Sequence, residues 1–193
     1  MVKRIIRAML RITVVLTVPV ALLGIIVAAM FEITAEQEET KFSMLMTKST
    51  LALPQGVGDM THALVQCAGF SRAEIVVVDR GTILSSGLRH RNVFAEVNIV
   101  AFTQRRGLWS WLTDKPIYII IQEESLQAVV ERVGVERLYE IFKVIVSHEI
   151  AHHIVESTVY HNLYFGLIRN LSVEERERRV DRIAYNLRHE CAT

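Results

Sequence analysis

The stretch Ile145-Val146-Ser147-His148-Glu149-Ile150-Ala151-His152-His153-Ile154 decides how this chain is read. It carries an HExxH pattern inside an apolar segment of helical periodicity. Residues four apart share one face of a helix, so His148 and His152 can reach the same metal ion. Glu149 then stands beside the open coordination position, where it can take a proton from a metal-activated water. The uncharged flanks Ile145, Val146, Ile150, Ala151 and Ile154 match the metalloprotease form of the pattern. Cys67 and Cys191 are the only cysteines and no CxxC occurs, which excludes a cysteine-based zinc site. The two can pair if the domain faces an oxidising compartment.

Two histidines do not complete a catalytic zinc site, which usually takes three protein ligands and keeps a fourth position open. The metzincin continuation needs Gly and His where this chain has Val155 and Thr158. A carboxylate from a later helix is the other solution. Within residues 172–190, Val173, Val180, Ala184 and Leu187 mark one helical face, and Glu177 falls inside that stripe. A carboxylate on a packed face is costly unless it is paired or bound to metal. Glu177 is therefore the leading third ligand, with Glu174 and His161 as alternatives. Asp181, one turn further on, is placed to hold a ligating histidine through its second ring nitrogen. A solvated helix whose Arg178 and Arg182 simply pair with these acids is the competing reading.

HExxH followed by a helix bearing Glu-x-x-x-Asp resembles the gluzincin zinc metalloproteases, in particular the membrane HtpX and CAAX-prenyl-protease group. The matching residues are His148, Glu149, His152, Glu177 and Asp181, and the likeness covers residues 73–190. Asn98 to Phe102 (NIVAF) also resembles the Asn-Ala-Phe segment which that group carries near its cleft edge. The chain departs from the group at Val173, Glu174 and Val180, where Ser-Arg and Ala are usual, and in having one apolar span instead of several. The resemblance implies an α+β, zincin-like domain: a small sheet, the HExxH helix and a later ligand helix. It also implies Zn²⁺ as cofactor and a protein or peptide substrate.

Ile12 to Phe31 is a run of twenty residues without a charge. As a helix it is roughly 30 Å long, the thickness of a bilayer's hydrocarbon core. Lys3, Arg4, Arg7 and Arg11 precede it, and Glu32, Glu36, Glu38 and Glu39 follow it. The positive-inside rule then predicts a single-pass anchor with a cytoplasmic N-terminus and the remaining chain on the non-cytoplasmic side. A cleavable signal peptide with a small-residue site near Ala35 is the alternative. With those four removed, 18 basic residues face 21 acids, so no basic surface points to nucleic acid.

The expected organisation is a basic segment at 1–11, a transmembrane helix at 12–31, a juxtamembrane stalk or helix at 32–58, and the zincin-like metalloprotease domain at 59–193. Ala73 to Asp79, residues 93–102 and Ile117 to Ile121 read as strands, the first closed by a turn at Arg80-Gly81. Residues 59–67, 124–133, 136–158 and 172–190 read as helices, Gly134 separating the second from the third. Strands first and helices afterwards is an α+β order. His153 points away from His152 and reads as a surface or supporting group. Tyr160, His161 and Tyr164 are candidates to stabilise an oxyanion, against ordinary packing. Trp109 and Trp111 suit a membrane interface, a groove or a core edge. The expected function is a membrane-anchored zinc endopeptidase with Glu149 as general base. The alternative is a non-catalytic, membrane-anchored zincin-like binding or regulatory module.

Overall fold

Ile117-Tyr118-Ile119-Ile120-Ile121-Gln122 is buried along its whole length. A run of β-branched side chains covered on both faces is the signature of a central strand. In the computed structural model, which describes residues 2–88, 101–104, 106–107, 112–155 and 172–191, this run is the middle of a three-stranded sheet. Of the side chains in the first helix, those of residue 19 and from residue 21 onward are described. Strand β1 (Ala73–Val78) pairs with β3 (Ile117–Gln122) in parallel, from Ala73 opposite Ile117 to Val78 opposite Gln122. Strand β2 (Ala101–Thr103) lies antiparallel on the other side of β3, Phe102 opposite Ile120. The described order is β1-β3-β2. The rest of the strand expected at 93–102 lies outside the described residues, as do Trp109 and Trp111.

The alternation of β3 divides the interior into two cores. Ile117, Ile119 and Ile121 face helices α2 (Val57–Cys67), α4 (Glu123–Val133), α5 (Leu138–Val155) and α6 (Val173–Glu190), which contribute Leu64, Leu126, Phe142, Ile150 and Leu187. Tyr118 and Ile120 face the other way, onto the end of α1 (Val2–Met46) and α3 (Arg80–Ser85). The chain is thus α+β, mostly helical around a small sheet. Gly134 ends α4 at φ +98°, where an added Cβ would run into the Glu136 carboxyl group, so the break expected there is built into the backbone. The turn expected at Arg80-Gly81 is instead the start of α3. The Asp79 side chain accepts from the Thr82 N–H and hydroxyl and starts a helix where a turn motif was read.

The chain divides into two compact units, Met1–Thr34 and Ala35–Thr193. The second includes most of the expected juxtamembrane stalk or helix at 32–58, whose helical part has a buried face. Ala35, Glu39, Phe42 and Leu45 recur at helical spacing and are all buried, and the Phe42 ring meets Phe102 edge-on at 5.7 Å. Glu39 pairs there with Lys115 at 3.0 Å. The first unit is the N-terminal part of α1. Much of the expected span at 12–31 lies outside the described side chains, and among the described residues no helix is long and apolar enough to cross a membrane.

Candidate metal centre

Helices α5 and α6 bring the site together. Ala151 and Val155 of α5 pack against Val180 and Ala184 of α6, small side chains that let the two helices approach closely. Helix α6 begins at a capping box: Ser172 Oγ accepts from the Glu175 N–H, and the Glu175 carboxylate accepts from the Ser172 N–H. That start fixes the phase that turns Glu177 and Asp181 towards α5. At the other end, Cys191 is disulfide-bonded to Cys67 at the end of α2, with 5.9 Å between their Cα atoms. The pairing left open by the cysteine count is therefore present.

The expected metal-binding residues converge. The Nε2 atoms of His148 and His152 lie 3.1 Å apart, and Glu177 Oε2 stands 3.7 Å from the first and 3.5 Å from the second. Three such donors can hold a metal ion. Tetrahedral ligands at about 2.1 Å from a metal stand roughly 3.4 Å from one another, so the observed separations already match a shared ion. Asp181 Oδ1 lies 3.2 Å from the other ring nitrogen of His148, the contact that leaves Nε2 free to ligate. Glu174 takes no part; it pairs with Arg178 at 3.7 Å. His161, Tyr160 and Tyr164 lie outside the described residues.

The protonation states also suit a cation. Burial lowers the His148 pKa below the ordinary imidazole value, the charge of His152 adds to this, and Glu177 and Asp181 oppose it. Hydrogen bonding with His152 lowers the Glu177 carboxyl, against the partial burial that raises it. Attraction between His148 and Glu177 should favour both charged forms, yet only the carboxylate gains. At His148, burial and His152 outweigh the carboxylates. The group is therefore ready to ligate through a neutral imidazole and an anionic oxygen. Glu149 is 5% exposed. Burial pushes its carboxyl up to about 7, His152 opposes that rise and Glu177 adds to it.

Two expectations need correction. Val173 does not belong to the packed stripe: it is 65% exposed, and the buried positions of α6 are Val180, Ala184 and Leu187. Nor is His153 at the surface. It is buried with its ring edge-on to Phe70 at 5.5 Å, and burial holds its pKa well below the ordinary value, with the charges of Arg106 and His152 adding. Arg106 was not singled out by the sequence. It is almost wholly buried, its guanidinium lies 5.9 Å from the Phe70 ring centre, and its Nη2 donates to the Lys115 carbonyl at 2.6 Å. Nothing in the loop's composition distinguishes it from Arg105. No protein-family profile, curated protein or solved structure matches the chain.

Proposed function

We propose that the protein is a membrane-anchored zinc endopeptidase with Glu149 as general base. The observation that carries this reading is the His148–His152–Glu177 donor group beside a buried, near-neutral Glu149. Two imidazole nitrogens and one carboxylate oxygen form the donor set of a catalytic zinc site that leaves a position open. The side chains of His148, His152 and Glu177 are partly exposed, so a substrate can reach that position. Bound zinc would supply a Lewis acid that polarises a carbonyl oxygen and lowers the pKa of water. Glu149 takes the proton of the attacking water and passes it to the amine nitrogen that leaves. A carboxyl near neutrality can do both, and its ionised form is favoured further once a dication is its neighbour. Asp181 keeps His148 in the ligating tautomer.

An extended peptide finds a partner in β2, which ends the described strand order and packs against α5. Main-chain hydrogen bonding along that edge would hold substrate beside the donor group. The anchor rests on the uncharged run Ile12 to Phe31, on the basic residues before it and the acids after it, and on the exposure of Leu22, Leu23, Ile25, Ile26 and Met30. A domain on the non-cytoplasmic side is consistent with the Cys67–Cys191 disulfide.

The test measures the metal content of purified wild type and Glu149→Gln, then cleavage of an unstructured peptide library by each. Both should hold one zinc per chain, and the variant should lose at least 10²–10⁴-fold in rate, the usual contribution of a general base. Cleavage by the variant at the wild-type rate would exclude this mechanism. A zinc-loaded wild type that cleaves no peptide would point to the non-catalytic binding module. Protease protection in sealed vesicles reads the topology, and digestion of the C-terminal domain from the cytoplasmic face would reverse it.

A further inference from the structure

The contacts between α5 and α6 run in opposite senses along the two helices. Glu177 meets His152 and His148, Asp181 meets His148, and Arg188 reaches back to Ser147. The helices are thus antiparallel, and Glu177, Asp181, Ala184 and Arg188 follow one another at spacings of four, three and four along one face. The apolar seam between the helices includes Ala151, Val155, Val180 and Ala184, with Ile183 packed against them. The two alanines let the helices come close and present low ridges, so a polar contact between the helices adds to what fixes their relative position. A slide of one residue is only about 1.5 Å, yet it is enough to take a carboxylate oxygen out of reach of two fixed imidazoles.

Ser147 is fully buried directly before His148, and its hydroxyl donates to the Val144 carbonyl at 2.9 Å. Arg188 donates through Nη1 to the same Ser147 oxygen at 3.0 Å. Arg188 stands eleven residues beyond Glu177 on one rigid helix, about 16 Å along its axis. The disulfide that follows at Cys191 fastens α6 to α2, not to the ligand helix α5.

We propose that Arg188 is a positioning residue for the metal centre: its hydrogen bond to Ser147 sets the axial register of α6 on α5, and with it the place of Glu177 and Asp181 against the two histidines. This rests on the reading of His148, His152 and Glu177 as metal ligands. The guanidinium does not touch the metal site; it acts through the helix that bears the carboxylates.

The test uses the full chain as wild type, Arg188→Met, Arg188→Lys and Ser147→Ala, with Zn²⁺ affinity read by chelator competition and Co²⁺ loading read by its visible d–d spectrum. Arg188→Met and Ser147→Ala should each weaken zinc about tenfold to a hundredfold, the range for partners that orient ligands. Each should also shift the Co²⁺ bands, which report ligand geometry and which a loss of stability alone would leave in place. The double variant should be no worse than either single one, because both break one contact. Arg188→Lys, which keeps a donor, should recover part of the affinity. If Arg188→Met does not fold, Ser147→Ala carries the test, since it removes only a hydroxyl from α5. Wild-type affinity and an unshifted Co²⁺ spectrum in a folded variant would overturn the positioning role while leaving the metal centre standing. A wild type that binds neither ion would overturn the metal centre, and this inference with it.

Discussion

Replacing Glu149 with glutamine should stabilise the metal-free protein, and by more as the pH rises. Burial lifts this carboxyl from 4.5 to about 7. Its folded-state pKa therefore lies above the unfolded value. Below pH 4.5 both states hold the proton and the group contributes no difference. As the pH rises from there, the unfolded chain releases the proton while the folded protein keeps it, and stability falls. Above about pH 7 the folded state bears the full cost of a buried carboxylate, about 3 kcal/mol from that difference in pKa. At about pH 5 the same relation leaves under about 1 kcal/mol.

Glutamine has nearly the same shape and no proton to lose, so Glu149→Gln removes this pH-dependent cost. Any fixed effect of the new amide's hydrogen bonding is the same at each pH and cancels in the comparison. The assay is urea unfolding of chelator-treated wild type and variant at about pH 5 and pH 8. The gap in unfolding free energy should widen by about 2 kcal/mol or more in favour of the variant. Added Zn²⁺ should narrow it, since a neighbouring dication favours the wild-type carboxylate. A gap that stays constant across this pH range would refute the argument that Glu149 is held in an environment hostile to its charge.

Glu177→Gln should leave the purified protein with well under one metal per chain, whereas Glu174→Gln should keep it, because Glu174 is exposed and occupied with Arg178; the reverse pattern in elemental analysis would move the third ligand. Asp181→Asn should weaken Zn²⁺ binding about 10–100-fold in chelator competition, by loosening the ring orientation of His148; unchanged affinity would reduce Asp181 to a surface acid. Replacing Cys67 and Cys191 together with serine opens a link between residues 124 apart and should lower the unfolding free energy by about 5 kcal/mol, read by urea titration under non-reducing conditions; a loss below about 1 kcal/mol would show that the unfolded chain gains little from the opening.

What the sequence made legible depends on how far each feature reaches along the chain. Strands β1 and β3 follow from runs rich in Ile and Val, and α6 from the spacing of Val180, Ala184 and Leu187, all within a few residues. Val173 was misjudged because periodicity ranks faces by angle and does not see where along a helix burial begins; residues 172–175, the start of α6, are all exposed. The burial of His153, read as a surface or supporting group, and of Arg106, not singled out at all, escaped for a related reason. Both side chains meet Phe70, more than thirty residues from either, and no local pattern encodes that meeting.

Glu39 and Glu177 show where sequence logic holds and where it stops. Both are acids set in an apolar helical stripe, the first among Ala35, Phe42 and Leu45, the second with Val180, Ala184 and Leu187. The cost of removing a carboxylate from water demands a partner for buried Glu39 and weighs less on the partly exposed Glu177, yet each has one. For Glu39 it is the ammonium of Lys115, seventy-six residues away, which makes an ion pair that supports the fold. For Glu177 it is two imidazole nitrogens. The stripe therefore predicts that a partner exists without saying what it is. At Glu177 the second piece of information was the HExxH spacing, which supplies two nitrogens on one helical face and leaves a third donor to be found. Glu39 had no such companion signal, which is why its segment read only as a juxtamembrane stalk or helix while Glu177 could be proposed for a site.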